Sequence, residues 1–226
     1  MVEFQGVSKV YTRAAGGRVE VLADASFQIG PGEMAVVSGP SGAGKSTLLR
    51  LVCGEERPSR GSVLVAGADV GAMSRGDLAR LRRRLAVIPQ DRRLLADRTV
   101  FGNVAFVLRA LGVPRSQVRP RALEALREAG VTARLTALPA ELAQGERQRL
   151  LLARAVATTP SLLLADEPTD MLDDVATREV LALLRAVQAR GTTVLVATHA
   201  PDVTAHLGGR SLILEAGCLR LGGGAG

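Results

Sequence analysis

The chain has 226 residues, of which 47% are hydrophobic and 23% are charged, a composition that suits one folded domain with a sizeable core. The net charge is +7, yet only 2% of the residues are aromatic, so the base-stacking surfaces of single-strand binders are not expected and no nucleic-acid partner is predicted. No apolar run approaches ~18 residues, the first residues lack the features of a secretory signal, and two cysteines give neither a disulfide framework nor a metal-binding spacing. These features favour a cytoplasmic protein.

Short apolar runs alternate with helical patterns along the chain, an order that predicts an α/β fold with a mostly parallel core sheet. Four runs have the length of buried strands: residues 33–39, 85–90, 161–166 and 192–199. Residues 2–29 and 61–66 are typical of a small antiparallel sheet. We predict one domain, in which residues 1–91 and 150–226 form the core with its antiparallel part and residues 92–149 form a helical insertion.

The segment after the first parallel strand, SGPSGAGKSTLL, matches the phosphate-binding loop pattern. Its glycines allow backbone N–H groups to turn toward phosphates, Lys45 can reach the β- and γ-phosphates, and Ser46 can ligate Mg²⁺. An ordinary glycine-rich turn is the alternative, but a strand precedes the loop and a helix follows it, which is the context of a nucleotide site. The predicted phosphate-binding residues are Gly39, Pro40, Ser41, Gly42, Ala43, Gly44, Lys45, Ser46 and Thr47.

Polar side chains end three other parallel strands, and these strand ends should meet at one edge of the sheet. Asp166 can hold Mg²⁺ there, and Glu167 can act as the general base that polarises water. Gln90 can join the metal shell, and His199 can contact the γ-phosphate. A simple strand-end cap is the alternative for Asp166 and Glu167. We predict catalytic roles for Glu167, His199, Lys45 and Gln90, and metal ligation by Ser46, Gln90 and Asp166.

The stretch ELAQGERQR, residues 141–149, has the composition of a helix N-terminus that faces an anion, because small and polar residues precede the apolar run LLLARAVA. Ala143 stands where a hydroxyl would be expected.

Together these motifs resemble the nucleotide-binding subunits of ATP-binding-cassette (ABC) transporters over nearly the whole chain. The resemblance implies a P-loop NTPase of the ABC type with ATP and Mg²⁺ as ligands. It also implies a homodimer in which the LAQGE segment of one copy, with Ala143, Gly145 and Glu146, faces the ATP of the other. By the same resemblance Tyr11 stacks on adenine, and Asp173 in DMLDD lies in a loop for communication between the two copies.

Stretches such as LLADRTVFGNVA and CGEERPS look most like the FtsE branch of the family, which serves bacterial cell division. The branch implies an FtsX-like integral membrane partner, a peripheral position on the cytoplasmic face of the bacterial inner membrane, and control of peptidoglycan hydrolysis. Lipoprotein-release or macrolide-efflux ATPases and a nucleotide-gated division scaffold with little hydrolysis are the alternatives. A soluble ABC protein acting on DNA or ribosomes is disfavoured, because the chain has one nucleotide core and few aromatic residues.

Several residues depart from the family pattern. Ala143 replaces the signature serine, and loss of a hydrogen bond to a charged group, worth ~1.5–3 kcal/mol, would weaken an ATP-closed dimer roughly ten- to a hundred-fold. Gln144 replaces a glycine of the signature. Because Lys45, Glu167 and His199 are retained, we predict a slow, partner-stimulated ATPase.

Two surfaces have open interpretations. The family docks a membrane-partner helix near residues 90–106, where Leu94, Leu95, Val100 and Phe101 could form an apolar floor or could be core residues of the helical insertion. The basic run ARLRRRL, residues 79–85, is typical of a solvated helix face, with a lipid-facing surface as the alternative.

Overall fold

The computed structural model describes residues 1–12, 16–91 and 93–222 of the chain. Its strands are β1 (Val2–Thr12), β2 (Arg18–Ile29), β3 (Met34–Ser38), β4 (Arg60–Val65), β5 (Ala68–Asp69), β6 (Leu85–Ile88), β7 (Leu162–Asp166), β8 (Thr193–Thr198), β9 (Arg210–Glu215) and β10 (Cys218–Leu221). Its α-helices are α1 (Lys45–Val52), α2 (Arg75–Arg82), α3 (Val100–Ala110), α4 (Arg115–Glu128), α5 (Gln144–Val156), α6 (Asp174–Ala189) and α7 (Pro201–Leu207), with short 3₁₀ turns between some of them.

The described strands form two sheets. The larger has the order β10-β9-β3-β8-β7-β6 and is parallel except for the β10–β9 pair, whereas the smaller, β2-β1-β4-β5, is antiparallel. The predicted α/β fold, with a mostly parallel core sheet and a small antiparallel part, is confirmed. The β3, β7 and β8 strands are short and largely apolar because helices or the second sheet cover both faces of the larger sheet there. The β6 strand lies at the edge of this sheet, and its Val87 is exposed.

Burial divides the hydrophobic residues into three clusters. One lies between the two sheets and α1, and includes Phe4, Leu48 and Leu164. A second lies on the opposite face of the larger sheet, where α5 and α6 pack through residues such as Leu151 and Leu184. The third holds α3, α4 and the outer face of α5 together. Because the first two clusters fix both faces of the sheet, the strand ends that carry the polar residues are held in place.

The helical insertion contains α3 and α4, and a segment with two 3₁₀ turns connects α4 to α5. The predicted boundary at position 149 falls inside α5, whose residues Leu150 and Ala153 join the helical cluster while Leu151 and Leu152 join the sheet cluster. The other predicted boundary, at position 92, lies outside the described residues. The division into core and insertion therefore stays a prediction, with α5 shared between the two.

Candidate nucleotide-binding and hydrolysis site

The ends of four parallel strands meet at one edge of the larger sheet. In the strand register Ser38 lies opposite Thr198, Asp166 opposite Ala197, and Ile88 opposite Ala165. The residues that follow these strands are the phosphate-binding loop, Gln90, Glu167 and His199, so the structure brings together the groups that the sequence places at strand ends. This edge is where α/β sheets bind ligands.

The loop between β3 and α1 is held in a form that only glycine permits at two positions. Gly44, the N-cap of α1, has φ +105°, and a Cβ there would lie 2.6 Å from the carbonyl oxygen of Val21. A Cβ on Gly39 would lie 2.1 Å from the carbonyl oxygen of Leu214. At Gly42, by contrast, an added Cβ would meet no atom within 4 Å, so this part of the loop faces open space. The loop can therefore present its N–H groups to an anion at the N-terminus of α1.

Lys45 lies folded back into the loop that precedes it. Its side chain is 6% exposed, and Nζ donates hydrogen bonds to the carbonyl oxygens of Gly39 (2.9 Å) and Pro40 (3.0 Å). The same ammonium lies 3.5 Å from Oε1 of Glu167. A phosphate that entered the loop would offer this cation a stronger anionic partner than the two carbonyls.

Glu167 is the central acid of the site. Its Oε1 lies 3.0 Å from Nδ1 of His199, and its Oε2 accepts a hydrogen bond from the backbone N–H of His199 at 3.2 Å. Its backbone adopts φ +47°, a conformation that is uncommon for non-glycine residues and that costs of order 1–3 kcal/mol. Its backbone N–H donates to the carbonyl oxygen of Ala197 at 2.8 Å, which fixes the turn onto β8. The strained turn therefore lets the carboxylates of Asp166, the last residue of β7, and Glu167, which follows it, contact different groups.

Asp166 fits a metal ligand. Its Oδ1 is buried and has no hydrogen-bond partner among the described residues, whereas a hydrogen bond joins its side chain to Ser46. Burial raises the pKa of the Asp166 carboxyl above its ordinary value, although the Ser46 hydrogen bond and nearby cations oppose the rise. A carboxylate oxygen without a hydrogen-bond partner, next to a serine hydroxyl, provides the oxygen ligands that Mg²⁺ prefers. Gln90 lines the cleft that also contains Ser46 and Asp166.

The LAQGE segment forms the N-terminus of α5 on a different surface. Ala143 is the exposed N-cap, with an extended backbone (φ −63°, ψ 160°), and its N–H donates to Oε2 of Glu146 at 2.9 Å. Half of a capping box is therefore present, and the missing half is the hydroxyl that alanine lacks. Within the described residues no hydrogen bond or ion pair joins Ala143, Gly145 or Glu146 to the phosphate-binding loop of the same chain.

Gly145 explains how this segment meets α6. A Cβ at Gly145 would lie 2.8 Å from the Cβ of Ala176, so the two helix N-termini approach too closely for a larger residue. Asp173 caps α6 by accepting a hydrogen bond from the backbone N–H of Ala176 at 2.7 Å. The segments assigned to the signature and to the communication loop therefore form one continuous surface. Their roles toward a second copy stay predictions.

Tyr11 lies near the end of β1 and contacts a charged pair. The ammonium of Lys9 lies 4.8 Å from the centre of its ring, and Lys9 pairs with Glu56 at 2.7 Å. A hydrogen bond from Tyr11 contributes, after that from Lys9, to lowering the pKa of Glu56. The predicted stacking of Tyr11 on adenine stays a prediction.

The residues suggested as an apolar docking floor differ in burial. Val100 is fully buried in the helical cluster, because it lies on the face of α3 that packs against α4 and α5. The interpretation of Val100 as a docking residue is therefore wrong. Leu94 and Phe101 are partly buried against the same cluster, and Leu95 is also partly buried.

Sequence reasoning missed Asn103, which organises this region. Its side chain is fully buried in α3, where Oδ1 accepts the N–H of Leu95 at 2.8 Å. Its Nδ2 donates to the carbonyl oxygens of Leu95, Arg98 and Thr99 at 3.0–3.1 Å. The signal available in the sequence was a single amide inside the apolar run VFGNVAFVL. Because both the oxygen and the nitrogen of this buried amide are hydrogen-bonded to the backbone, Asn103 stabilises the loop that connects the sheet edge to α3.

The fold and the loop define a P-loop nucleoside triphosphatase, and comparison with known proteins gives its family. Residues 22–170 match the model of the ABC transporter family. The chain is 42% identical over 224 residues to the cell division ATP-binding protein FtsE of Escherichia coli K12, covering 99% of both chains. The chain belongs to the ABC transporter family and is an ATP-binding subunit that hydrolyses ATP.

Relatives with another role are equally similar. The chain is 43% identical to the methionine import ATP-binding protein MetN of Cereibacter sphaeroides, over 96% of this chain and 63% of that protein. Among solved structures, the ATP-binding cassette MJ0796 in a dimeric, post-hydrolysis state with ADP and Pi bound superposes with a TM-score of 0.87 at 29% identity, covering 98% of both chains. CbiO1 of Clostridium perfringens, part of an ABC transporter complex, gives a TM-score of 0.87 at 26% identity, over 97% of this chain and 86% of that one.

These matches confirm the predicted ABC-type fold and the predicted ATPase activity. Among the helices that the structure describes, none is both long and apolar enough to cross a membrane.

Proposed function

We propose that the chain is the ATPase of an FtsEX-type complex, in which closure of an ATP-bound homodimer acts on an FtsX-like membrane protein that controls peptidoglycan hydrolysis. The observation that carries the proposal is the match to FtsE, which extends over 99% of both chains. On this proposal the protein lies on the cytoplasmic face of the bacterial inner membrane and is held there by its partner.

The site supplies the groups that the reaction needs. Glu167 orients the attacking water, and His199, which contacts the same carboxylate, stabilises charge on the transferred phosphoryl group. Lys45 exchanges its two loop carbonyls for phosphate oxygens. Ser46, Asp166 and Gln90 would hold Mg²⁺, which when bound neutralises charge on the phosphates. Positioning and electrostatics therefore provide most of the acceleration.

In the proposed dimer, the LAQGE segment of one copy faces the phosphate-binding loop of the other. Among the residues that the structure describes, no hydrogen bond or ion pair joins the N-terminus of α5 to the phosphate-binding loop of its own chain. This end of the helix can therefore face the nucleotide of a second copy, as the dimeric cassette of similar fold suggests. Ala143 contributes only its backbone there. We therefore propose a slow enzyme whose turnover rises when the membrane partner favours the closed dimer.

The test is to identify the membrane partner. A tagged Glu167→Gln variant, with ATP and Mg²⁺ to hold the closed dimer, is purified from detergent-solubilised membranes of the source organism, and the proteins recovered with it are identified by mass spectrometry. We expect an FtsX-like protein. Recovery of a methionine-import, lipoprotein-release or efflux permease instead would refute the division role while leaving the ATPase assignment intact.

The equal similarity to MetN makes a methionine importer the second candidate. The same experiment separates the two, because the membrane proteins of the two systems differ. Activity measurements distinguish an ATPase-driven complex from a nucleotide-gated scaffold. If Glu167→Gln abolishes ATP hydrolysis yet still supports division in cells, hydrolysis is not required for the role of the protein in division. The complex with its partner should hydrolyse ATP well above a Glu167→Gln control, and equal rates would refute a partner-stimulated ATPase.

A further inference from the structure

A cleft of about 380 Å³ lies in the helical insertion, between the end of α3 and the beginning of α4. Its lining residues are Phe101, Arg109, Arg115, Val118 and Arg119. The three arginines are exposed, and Phe106, which precedes Arg109 by about one helical turn, has a side chain that is 43% exposed. We refer to Phe106, Arg109, Arg115 and Arg119 as the basic tip.

The basic tip has no counter-charge. Residues 98–123 contain five arginines and no aspartate or glutamate. In the part of the chain that the structure describes, Arg109, Arg115 and Arg119 also form no ion pair with an acid from another segment. Like charges that are grouped on one surface repel one another. An anion from outside the chain would relieve this repulsion.

Local structure does not explain the three cations. Arg115 is the first residue of α4 and Arg119 lies about one turn later, near the end of the helix where the dipole disfavours a positive charge. The first turn of α4 contains no acidic residue that could offset this effect. A solvated helix face that supports its own helix has charges of both signs. The basic tip therefore fits recognition of an anion better than stabilisation of α4.

The basic run of α2, residues 79–85, is bound to the fold to a greater extent. Arg80 pairs with Asp77. Arg82 donates hydrogen bonds to the carbonyl oxygens of Cys53 and Gly54 at 3.0 and 2.8 Å. Two of the four arginines in this run therefore have structural contacts, whereas the three arginines of the basic tip have neither an ion pair nor a hydrogen bond to another described residue.

An aromatic side chain accompanies the charges of the basic tip. The guanidinium of Arg98, which pairs with Asp97 at 3.5 Å, lies 5.7 Å from the centre of the Phe106 ring. Exposed phenylalanine next to arginine is typical of surfaces that lie in the interface of a membrane. Guanidinium groups also match the geometry of phosphate oxygens.

We propose that the basic tip binds anionic phospholipids at the membrane surface, with its guanidinium groups at the lipid phosphates and Phe106 in the interface. The inference rests on the proposed position at the membrane, and it adds a direct lipid contact to the contact with the partner. Each basic side chain close to an anionic leaflet strengthens binding about fivefold. Three such side chains would therefore strengthen it roughly a hundredfold.

Flotation of the isolated chain with vesicles tests the inference without a membrane partner. The chain should bind vesicles of phosphatidylcholine with phosphatidylglycerol, should not bind phosphatidylcholine alone, and should bind less as salt is added. The triple variant Arg109→Gln, Arg115→Gln, Arg119→Gln should bind roughly a hundredfold more weakly. Lysine at the same three positions keeps the charge and should retain most of the binding.

A matched control makes the same charge change on and beside α2. The triple variant Arg75→Gln, Arg83→Gln, Arg84→Gln also removes three exposed cations and should weaken vesicle binding about fivefold or less. If this variant loses binding while the variant of the basic tip keeps it, the lipid contact lies on α2 and the inference is wrong. Equal losses in the two variants would also overturn it, because they would show dependence on net charge alone.

Two further outcomes identify a different ligand. Inorganic phosphate at constant ionic strength should not release the chain from the vesicles, and release would mean that the cleft binds free phosphate instead. If glutamine at the three positions leaves vesicle binding unchanged but abolishes recovery of an acidic protein from membrane extracts, the ligand is that protein. ATP binding and the unfolding temperature of each variant are the controls for folding.

Failure of this inference and failure of the proposed function can be distinguished. An unsubstituted chain that does not bind anionic vesicles would refute the lipid contact. The identity of the membrane protein recovered with Glu167→Gln would still decide the proposed function, because that experiment does not depend on vesicle binding.

Discussion

Restoring a hydroxyl at the N-terminus of α5 tests the most unusual feature of the site. Ala143 already has the extended backbone of an N-cap, and Glu146 already accepts its N–H, so Ala143→Ser needs no backbone change to complete the capping box. The completed cap should stabilise the monomer by about 1 kcal/mol, which corresponds to about 2–4 °C in unfolding temperature for a chain of this size.

The effect on the closed dimer should be larger. A hydroxyl that donates to a phosphate contributes about 1.5–3 kcal/mol, or roughly ten- to a hundred-fold, and a symmetric dimer contains two such contacts. The dissociation constant of the ATP-bound dimer should therefore fall at least about tenfold. Analytical ultracentrifugation in the Glu167→Gln background, with ATP and Mg²⁺, measures this constant, and thermal unfolding without nucleotide measures the cap.

A second substitution separates the two effects. Ala143→Asp supplies an N-cap at least as good as serine, but its carboxylate cannot donate to a phosphate and repels it. Both variants should raise the unfolding temperature of the monomer, whereas only serine should tighten the dimer. If serine and aspartate change dimerisation alike, or if neither changes it, Ala143 does not face the nucleotide of a second copy.

Three further predictions concern the fold and the metal site. Burial acts to raise the pKa of the Glu33 carboxyl, but hydrogen bonds from the Gly30 N–H and from Arg210 outweigh burial and lower this pKa. The ionised carboxylate therefore stabilises the fold above the unfolded-state pKa, and this stabilisation is lost as the pH falls through the lower folded-state pKa. Glu33→Gln should therefore lower the unfolding temperature at pH 7 by about 2 °C, with the difference from the unsubstituted chain vanishing in acid. Asp166→Asn should raise the unfolding temperature of the nucleotide-free chain, because burial disfavours the charge, and should abolish the extra stabilisation that Mg²⁺ gives in ATP titrations. Gly145→Ala should destabilise by about 1–3 kcal/mol through its 2.8 Å approach to Ala176, and adding Ala176→Gly should recover much of the loss in chemical denaturation.

The sheet and the strand-end residues could be predicted because their signals are local. Each parallel strand is a short apolar run, and the polar residue that follows it has little choice of position once the strand is buried. Asp166 and His199 are therefore placed by sequence alone, to within a residue or two of the strand end. The family resemblance depends, in addition, on the order in which the motifs occur along the chain.

Contacts between segments could not be predicted in the same way. Helix α4 begins at Arg115 and contains Pro120 beyond its first turn, where a proline cannot donate the helical hydrogen bond to the carbonyl of Ser116. Packing of Val118, Ala122 and Leu126 in the helical cluster, which the sequence does not show, compensates for that loss. Val100 has the same apolar character whether it faces a partner or the core, and only the packing of α3 decides.

One helix links the proposed dimer contact to the rest of the fold. Ala143 caps α5, and the same helix packs against α3, α4 and α6. A nucleotide of a second copy that binds at this end would therefore act on a rigid element that extends into the helical insertion. Linkage requires that closure over ATP change the affinity for the membrane partner by the same factor by which the partner changes closure. Partner affinity in the Glu167→Gln background should therefore be higher with ATP and Mg²⁺ than without them, and equal affinities in the two conditions would refute an ATPase that its partner stimulates through closure.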